Sequence, residues 1–295
     1  MITRLVSLGS VIVDVVLELP ALPPRGGDVL ATQRGLAVGG AFNVLSAASR
    51  LGLPGLYAGP HGTGPYGDLV RATLAREGIE IARVPSPLLD TGSTIAMIEP
   101  DAERTFITVT GADGIVEPAD LEGIAYRGGD AVYVSGYDLA YPAAGPAIAA
   151  HVGMLPPDVF VAFDPGPLAA DIEKDLIRPV LARAVLVSLN ERESQALGSI
   201  DAPAVVVRQG ARGATVHRRG EPMVHIPAVP LERAADTSGA GDVHVGANLA
   251  GLAMGLSWPA AVRLANRAAA YAVSRPGPAS GPTMAELENS HRDRW

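Results

Sequence analysis

Two carboxylates enclose a run of small residues near the C-terminus, in the segment DTSGAGD of residues 236–242. The apolar, Ala-rich stretch that follows predicts a helix, so Gly239, Ala240 and Gly241 stand where that helix begins. Their backbone N–H groups are open to an anion, which helix N-termini bind well. Asp242 lies in the first turn, where a carboxylate either complements the helix dipole or, beside a bound phosphate, accepts a proton. The anion site between two carboxylates favours phosphate chemistry with Asp242 as general base.

A second glycine-rich segment, YAGPHGTGPYGDLVRATLAREG, contains the spacing G-x-G-x-x-G through Gly62, Gly64 and Gly67. An apolar run precedes it and an amphipathic pattern follows, which is the context of a dinucleotide-binding loop. Such a site also requires an acidic residue about 20 positions further on, at the end of a strand. Asp90 is near that distance, but it lies in PSPLLDTG, which predicts a turn. The spacing alone is a weak signal, and we expect no nicotinamide or flavin site here.

The elements that must position these residues alternate along the chain. Short runs rich in Val, Ile and Leu predict strands, and the Ala-rich stretches between them predict helices. Apolar runs of this kind are typical of strands buried on both faces of a parallel sheet. We therefore expect an α/β fold with sites at the carboxyl ends of the strands. The strand candidates include RLVSLGSVIVDVVLEL, DAVYVSG, DVFVAFDPG, AVLVSLN and AVVVRQG, and the helix candidates include GAFNVLSAASRLG, YGDLVRATLAREG and PAAVRLANRAAAYAVSR.

Two stretches depart from this alternation. ELPALPPRGGDVLATQRGLAV combines prolines with an alternating polar and apolar pattern. TGSTIAMIEPDAERTFITVTG predicts a hairpin with PDAE at its turn. We expect a single domain over residues 1–295, with a small β lid formed from about 11–38 and 91–110. The alternative is a pair of ordinary surface hairpins.

Composition excludes several classes of function. The chain has 295 residues, a 48% hydrophobic fraction and a net charge of −8, which predict a folded protein that binds no nucleic acid. No apolar run reaches the roughly 18 to 20 residues of a membrane span, and the apolar N-terminus predicts a strand rather than a signal peptide, so we expect a cytoplasmic protein without a membrane partner. No cysteine is present, and the histidines show no metal-binding spacing. Lys174, the one lysine, follows no glycine loop, which excludes P-loop and protein kinases.

Several motifs occur in an order that is characteristic of one family. DTSGAGDVHVGA resembles the C-terminal signature of the ribokinase-like (PfkB) carbohydrate kinases, D-T-x-G-A-G-D-x-F, with His244 in place of the usual Phe. The family's segment G-x-x-G-x-D-x-x-G matches Gly59, Gly62 and Gly67, with Gly64 in place of the usual Asp. The apparent dinucleotide spacing is thus explained by one Asp-to-Gly difference. The resemblance extends over essentially the whole chain through GSVIVD, GGAFN, ERTF, NERE, VVVRQGARGA and ANRAAAYAVSRPGPA.

The resemblance implies a three-layer α/β/α fold, with a mostly parallel sheet and a small β lid. It also implies an ATP-dependent kinase that phosphorylates the hydroxymethyl group of a sugar. Asp242 would take the hydroxyl proton, and the backbone amides of residues 239–242 would hold the transferred phosphoryl group. The residues implied to bind the sugar are Asp14, Gly39, Gly40 and Asn43.

On the ATP side, the resemblance implies a second group of residues. Glu193 would hold Mg²⁺, mainly through water, and Asp236 would hold a monovalent cation such as K⁺ with carbonyl groups of the SRPGPAS loop. An exposed strand edge in the lid favours a homodimer, because such edges pair between chains. The residues implied to bind ATP are Asn190, Arg208, Gly210, Gly213 and Asn266.

A free monosaccharide in furanose form is the first expectation for the acceptor, and three alternatives stay open. A nucleoside would need aromatic side chains for stacking, for which Phe42 and Phe106 are the candidates in a chain with 4% aromatic residues. A sugar phosphate would need a basic cluster, and Arg25, Arg34 and Arg104 are the arginines near the predicted lid. A non-catalytic small-molecule binding protein could share the fold, but the intact DTSGAGD argues against it.

Overall fold

The computed structural model describes residues 1–101 and 103–292, which form a large and a small β-sheet. The strands are β1 (Arg4–Ser7), β2 (Val11–Glu18), β3 (Gln33–Gly40), β4 (Gly55–Tyr57), β5 (Glu80–Ile81), β6 (Ser93–Ile98), β7 (Arg104–Val109), β8 (Asp130–Ser135), β9 (Phe160–Asp164), β10 (Leu186–Asn190), β11 (Ala204–Arg208), β12 (Ala214–Arg218) and β13 (Val224–Ile226). The large sheet has the order β13-β12-β11-β10-β9-β8-β1-β4-β5. Neighbouring strands from β11 to β5 are parallel, and β12 and β13 add an antiparallel edge.

Helices cover both faces of the large sheet. They are α1 (Ala41–Arg50), α2 (Pro65–Arg76), α3 (Pro118–Glu122), α4 (Gly136–Ala140), α5 (Gly145–Met154), α6 (Lys174–Arg183), α7 (Glu191–Leu197), α8 (Ala240–Ala253), α9 (Trp258–Val273) and α10 (Met284–Arg292). Leu5 of β1 joins a core with Leu45 of α1 and Leu249 of α8, whereas Val6 joins a second core with Ile148 of α5. Since neighbouring side chains of a strand point to opposite faces, the fold has three layers, and the predicted α/β/α class is confirmed. None of the helices in the described part of the chain has the length and apolar character that crossing a membrane requires.

The small sheet has the strand order β3-β2-β6-β7. β2 pairs antiparallel with β3 and parallel with β6, and β6 pairs antiparallel with β7. The strands lie in and beside the two stretches that depart from the alternation of the sequence. Ala102, in the predicted PDAE turn, lies outside the described residues. Ile107 and Val109 of β7 are 51% and 57% exposed, so the small sheet presents apolar surface to solvent.

The strand candidate RLVSLGSVIVDVVLEL contains two strands, which belong to different sheets. β1 ends at Ser7 in the large sheet, and β2 begins at Val11 in the small sheet. Between them the chain passes the buried carboxylate of Asp138, whose Oδ1 accepts the Ser10 N–H at 3.0 Å. A Cβ on Gly9 would lie 2.0 Å from Asp138 Oδ2, so glycine is required at this crossing. The crossing is what separates the small sheet from the large one.

Candidate active site

A cavity of about 1170 Å³ lies at the carboxyl ends of the strands of the large sheet. Ser135, Asp164 and Asn190 are the last residues of β8, β9 and β10, and all three line it. Residues of the small sheet line one end, and the N-terminus of α8 lines another part. The volume is large enough for two small molecules to bind side by side.

Gly239, Ala240, Gly241 and Asp242 line this cavity at the start of α8. Gly239 has a φ of 68°, and a Cβ there would lie 2.1 Å from the carbonyl oxygen of Pro278, so only glycine fits. No side chain caps the helix, and among the described residues the N–H groups of Gly241 and Asp242 have no hydrogen-bond acceptor. Free N–H donors at a helix N-terminus are what an anion site requires.

Asp242 accepts a hydrogen bond from Asn43 of α1, with 3.0 Å between Nδ2 and Oδ2. The bond depends on close packing of α1 against α8, since a Cβ on Gly246 would lie 2.5 Å from the carbonyl oxygen of Val44. Burial raises the pKa of Asp242 to about 6, although the bond from Asn43 lowers it. Such a carboxylate is ionised at neutral pH and still basic enough to take a proton. Asn43, predicted as a sugar ligand, thus directs its amide N–H to the predicted base.

The small sheet forms the other end of the cavity. Asp14 of β2 lines it together with Thr94 and Thr108, whose hydroxyl oxygens lie 3.0 Å apart. A Cβ on Gly39 of β3 would lie 2.3 Å from Asp14 Oδ2, so glycine leaves the space that this carboxylate occupies. Burial raises the pKa of Asp14 to about 6. Of the residues predicted to bind the acceptor, Asp14 and Gly40 line the cavity, and Gly39 makes room for Asp14.

The aromatic side chains of the cavity differ from those expected. Phe42 is not available for stacking, because it is 3% exposed in the hydrophobic core. Phe106 of β7 does line the cavity, and so do Tyr137 and Tyr141, which the sequence analysis missed. Tyr137 lies two residues after the end of β8, and an aromatic residue next to a strand end was the signal that could have found it, whereas Tyr141 follows α4.

Arg208, at the end of β11, is held by three side chains in the cavity. Its Nη1 donates to Asp164 Oδ2 at 2.8 Å and to Ser188 Oγ at 2.7 Å, and its Nη2 lies 3.4 Å from Glu193 Oε2. The guanidinium lies against Gly241, because a Cβ there would be 3.5 Å from Nη2. Arg208 therefore brings positive charge to the start of α8. The sequence analysis missed Asp164, which the DPG at the end of its strand could have indicated.

Asn190 and Glu193 form a capping box at the start of α7. Asn190 Oδ1 accepts the Glu193 N–H at 2.9 Å, and Glu193 Oε2 accepts the Asn190 N–H at 2.7 Å. Both residues also line the cavity. Among the described residues, no three His, Asp or Glu side chains are grouped so that they could hold a metal ion. The carboxylate oxygens of Glu193 and Asp164 accept N–H groups as well, so these residues fit Mg²⁺ only through its water ligands, most of which this ion keeps when it binds with substrate phosphates.

Gly210, Gly213 and Asn266 line a further wall of the cavity. Gly213 has a φ of 100°, and a Cβ there would lie 2.1 Å from the carbonyl oxygen of Ile226, which requires glycine. The Asn266 amide donates to two carbonyl oxygens at the end of β13, at 3.1 and 3.0 Å. Its Oδ1 lies 3.1 Å from Nε2 of His244, whose pKa burial lowers to about 3. Asn266 and His244 thus form a buried, hydrogen-bonded pair.

Asp236, predicted to hold a monovalent cation, carries N–H donors on both carboxylate oxygens. Oδ1 accepts from Arg104 Nη2 at 2.7 Å and from the Ser238 N–H at 2.8 Å. Oδ2 accepts the N–H of Gly277 at 3.1 Å, so the SRPGPAS loop directs an N–H group to this carboxylate. A monovalent cation is held by oxygen ligands such as carbonyl groups. The residues present at Asp236 therefore do not fit a cation.

The glycine-rich segment near residue 64 has a packing role. Asp90 Oδ1 accepts the Gly67 N–H at 2.7 Å, and its Oδ2 accepts the Tyr66 N–H at 3.1 Å, so this carboxylate caps α2. A Cβ on Gly64 would lie 2.8 Å from the carboxyl carbon of Asp90. The side chain of Asp90 thus fills the space beside Gly64, where the family usually has Asp. Because the N–H groups of α2 are already bonded, the segment offers no pyrophosphate site.

Known proteins are similar to this chain in sequence and in fold. Residues 2–284 match the pfkB family carbohydrate kinase. An uncharacterized sugar kinase of Escherichia coli (strain K12), YegV, is 34% identical over 97% of this chain and 93% of its own length. The ribokinase of Arabidopsis thaliana complexed with ribose and ATP has a TM-score of 0.79 at 24% identity, over 98% of both chains.

A nucleoside kinase of Burkholderia thailandensis in complex with inosine has a TM-score of 0.81 at 20% identity, over 99% of this chain and 97% of that one. At such identities the two solved structures show that the ribokinase-like fold is shared. The family match covers nearly the whole chain, and the resemblance inferred from its motifs is confirmed. This chain belongs to the pfkB family of carbohydrate kinases.

Proposed function

We propose that the protein transfers the γ-phosphoryl group of ATP to the hydroxymethyl group of a neutral sugar. The observation that carries the proposal is the position of Asp242. Asp242 lies in the same cavity as the free N–H groups at the start of α8 and as Asp14 of the small sheet. The solved Arabidopsis ribokinase, which holds ribose and ATP, supports the pairing of a sugar with this nucleotide.

In the proposed reaction, the acceptor hydroxyl oxygen attacks the γ-phosphorus, the bond from that phosphorus to the bridging oxygen breaks, and ADP leaves. Asp242 takes the hydroxyl proton while Asn43 holds the carboxylate through its 3.0 Å hydrogen bond. The N–H groups of Gly241 and Asp242 would stabilise the charge on the transferred group. Mg²⁺ would neutralise phosphate charge when bound with the nucleotide, and Glu193 and Asp164 are the residues that would hold its water ligands.

The nucleotide phosphates would lie beside Arg208, whose guanidinium contacts the start of α8. Asn190, Gly210 and Gly213 would form the adjoining wall. Gly210 has a φ of 58° and no atom near its missing Cβ, so its backbone is open to a ligand. Asn266 would act indirectly, since its amide is bonded to β13 and His244.

Charge at the acceptor end favours a neutral acceptor. Asp14 places a carboxylate there, and its oxygens can accept hydrogen bonds from sugar hydroxyls. Arg25 and Arg34 are exposed and do not line the cavity, and Arg104 is paired with Asp236. A phosphate on the acceptor would therefore meet the Asp14 carboxylate without these arginines to balance its charge. A free sugar fits better than a sugar phosphate.

A nucleoside is the second candidate, because Phe106 and Tyr137 line the cavity and are 59% and 50% exposed. Exposed aromatic rings at a binding cavity can stack on a base. The Burkholderia nucleoside kinase in complex with inosine has the same fold. In this case Asp14 would bind ribose hydroxyls, and the base would lie against the rings.

Release of ADP from Mg-ATP, measured with a panel of free sugars, nucleosides and sugar phosphates, tests the proposal. We expect turnover with at least one free sugar and none with its phosphate. Turnover of nucleosides alone would establish the second candidate. Absence of turnover with every acceptor would refute the kinase reaction and leave a binding protein, which a thermal-shift screen would detect, since a ligand at 100 times its Kd adds about 2.7 kcal/mol.

We also propose that the small sheet is a lid over the acceptor and that it joins two chains in a homodimer. β3 and β7 are its edges, and Leu36, Ile107 and Val109 are about half exposed. Unpaired strand edges with apolar side chains favour pairing between chains. Sedimentation showing a monomer at micromolar concentration would refute the shared lid and leave the kinase reaction untouched.

A further inference from the structure

Arg104 joins the small sheet to the loop that leads into α8. It is the first residue of β7, and its Nη2 donates to Asp236 Oδ1 at 2.7 Å across 132 positions of the sequence. The two side chains are only 23% and 18% exposed. An ion pair so far removed from water is less screened than one at an open surface. The contact can therefore hold two distant segments together.

The loop beyond Asp236 carries this contact to the anion-binding end of the cavity. The same Oδ1 accepts the N–H of Ser238 at 2.8 Å, and Ser238 directly precedes Gly239. Oδ2 accepts the N–H of Gly277 at 3.1 Å, next to Pro278, whose carbonyl oxygen packs against Gly239. The Asp236 carboxylate thus ties together both segments that enclose the start of α8.

β7 reaches the acceptor end as well. Alternate residues of a strand lie on the same face, so Arg104, Phe106 and Thr108 share one face of β7. Phe106 and Thr108 line the cavity. One strand therefore contacts the acceptor end through two residues and the phosphate end through a third.

The same arrangement places a guanidinium where a cation was expected. Three N–H groups, from Arg104, Ser238 and Gly277, already bind the carboxylate of Asp236. The guanidinium supplies a fixed positive charge beside this loop, and a cation that replaced it would have to displace a hydrogen-bonded ion pair.

We propose that Arg104 is a positioning residue that holds the phosphate-binding loop from the small sheet and makes turnover independent of monovalent cations. The proposal rests on the kinase reaction proposed above. An acceptor that contacts Phe106 and Thr108 would restrict the motion of β7. Through the ion pair of Arg104 with Asp236, this would also restrict the motion of the loop that positions the N–H groups of Gly241 and Asp242.

The first test is kinetic. The wild type, Arg104→Met, Arg104→Lys and the control Arg34→Met are assayed in KCl, NaCl and choline chloride at equal ionic strength. Arg34 is a suitable control, since it also lies on the small sheet but is exposed and does not line the cavity. We expect equal wild-type rates in the three salts and a 10- to 100-fold lower kcat in Arg104→Met, which is roughly the effect of losing a charge-assisted hydrogen bond. Added guanidinium ion should restore part of that activity, and Arg104→Lys should retain part of it.

A wild type that requires K⁺, or an Arg104→Met variant that matches Arg34→Met, would overturn the proposal. Loss of activity in Arg104→Met without any rescue, either by guanidinium or in Arg104→Lys, would also overturn it, since it would indicate general structural damage.

The second test does not depend on turnover. Hydrogen exchange of the amides in residues 236–242 should be faster in Arg104→Met than in the wild type and unchanged in Arg34→Met. KCl should not raise the melting temperature of the wild type above its value in choline chloride. If the kinase reaction itself were absent, these two measurements would still decide the role of Arg104: unchanged exchange, or stabilisation by K⁺, would refute it.

Discussion

Replacing Asp242 by Asn separates two roles of this carboxylate. Asn keeps the shape of the side chain, and its Oδ1 can still accept the bond from Asn43, which is 3.0 Å long in the wild type. It cannot take a proton from the acceptor. If Asp242 is the general base, kcat should fall by roughly 10²- to 10⁴-fold, whereas the KM values should change little because other groups bind the substrates.

Replacing Asp242 by Asn should raise the stability of the fold, whereas replacing an ordinary Asp at a helix start lowers it. Burial raises the pKa of Asp242 from 3.8 to about 6, so the folded state binds this proton more tightly than the unfolded state. The contribution of Asp242 to the free energy of unfolding therefore decreases as the pH rises from about 4 to about 6, and it stays constant above that window. At about 1.36 kcal/mol per pKa unit the cost is at most about 3 kcal/mol, which partial exposure reduces to about 1 to 2 kcal/mol.

Asp242→Asn should therefore be more stable than the wild type at pH 8 by about 1 to 2 kcal/mol, or a few degrees in Tm, and equal to it near pH 4. The control is Asp175→Asn, because Asp175 is also in the first turn of a helix and its side chain is 94% exposed. That change should lower stability by about 0.3 to 1 kcal/mol, which is the effect of the helix dipole, and leave kcat unchanged.

The assays are kcat at saturating acceptor and Tm at pH 4 and pH 8. A variant that kept a near wild-type kcat and lost stability at pH 8 would behave like Asp175→Asn. That result would refute the assignment of Asp242 as base and with it most of the proposed mechanism.

Two further changes test other parts of the site. In Gly39→Ala the added methyl carbon would lie 2.3 Å from the present position of Asp14 Oδ2, so Asp14 must move. We expect a folded protein with a higher KM for the acceptor and an unchanged KM for ATP. An unaltered acceptor KM would show that Asp14 does not bind the acceptor. Asp90→Ala removes the side chain that caps α2 by accepting the N–H groups of Gly67 and Tyr66. We expect the free energy of unfolding, measured with denaturant, to fall by about 0.5 to 2 kcal/mol while kcat is retained. A loss of turnover at full stability would contradict the packing role of Asp90.

Local patterns in the chain were sufficient to predict the fold class and to select residues that the structure brings to one cavity. The apolar runs of β8, β9, β10 and β11 mark buried parallel strands, because their residues must be apolar on both faces. The segment DTSGAGD marks a helix start with free N–H groups, because the first N–H groups of a helix have no partner within it and small residues leave them uncovered. Such signals depend on neighbours in sequence, so they can be read without the tertiary structure.

The partners of the polar side chains follow from the packing of distant segments. Asn43 bonds to Asp242 across 199 positions, and Arg104 bonds to Asp236 across 132. For this reason the sequence alone did not show that Asn43 bonds to Asp242 or that Arg104 bonds to Asp236, and it missed Asp164 as the partner of Arg208. A hydrogen bond needs its two atoms within about 3 Å of each other, and that distance is set by contacts such as the close approach of α1 and α8 at Gly246. No local pattern contains such a contact, since it exists only when the whole core has packed.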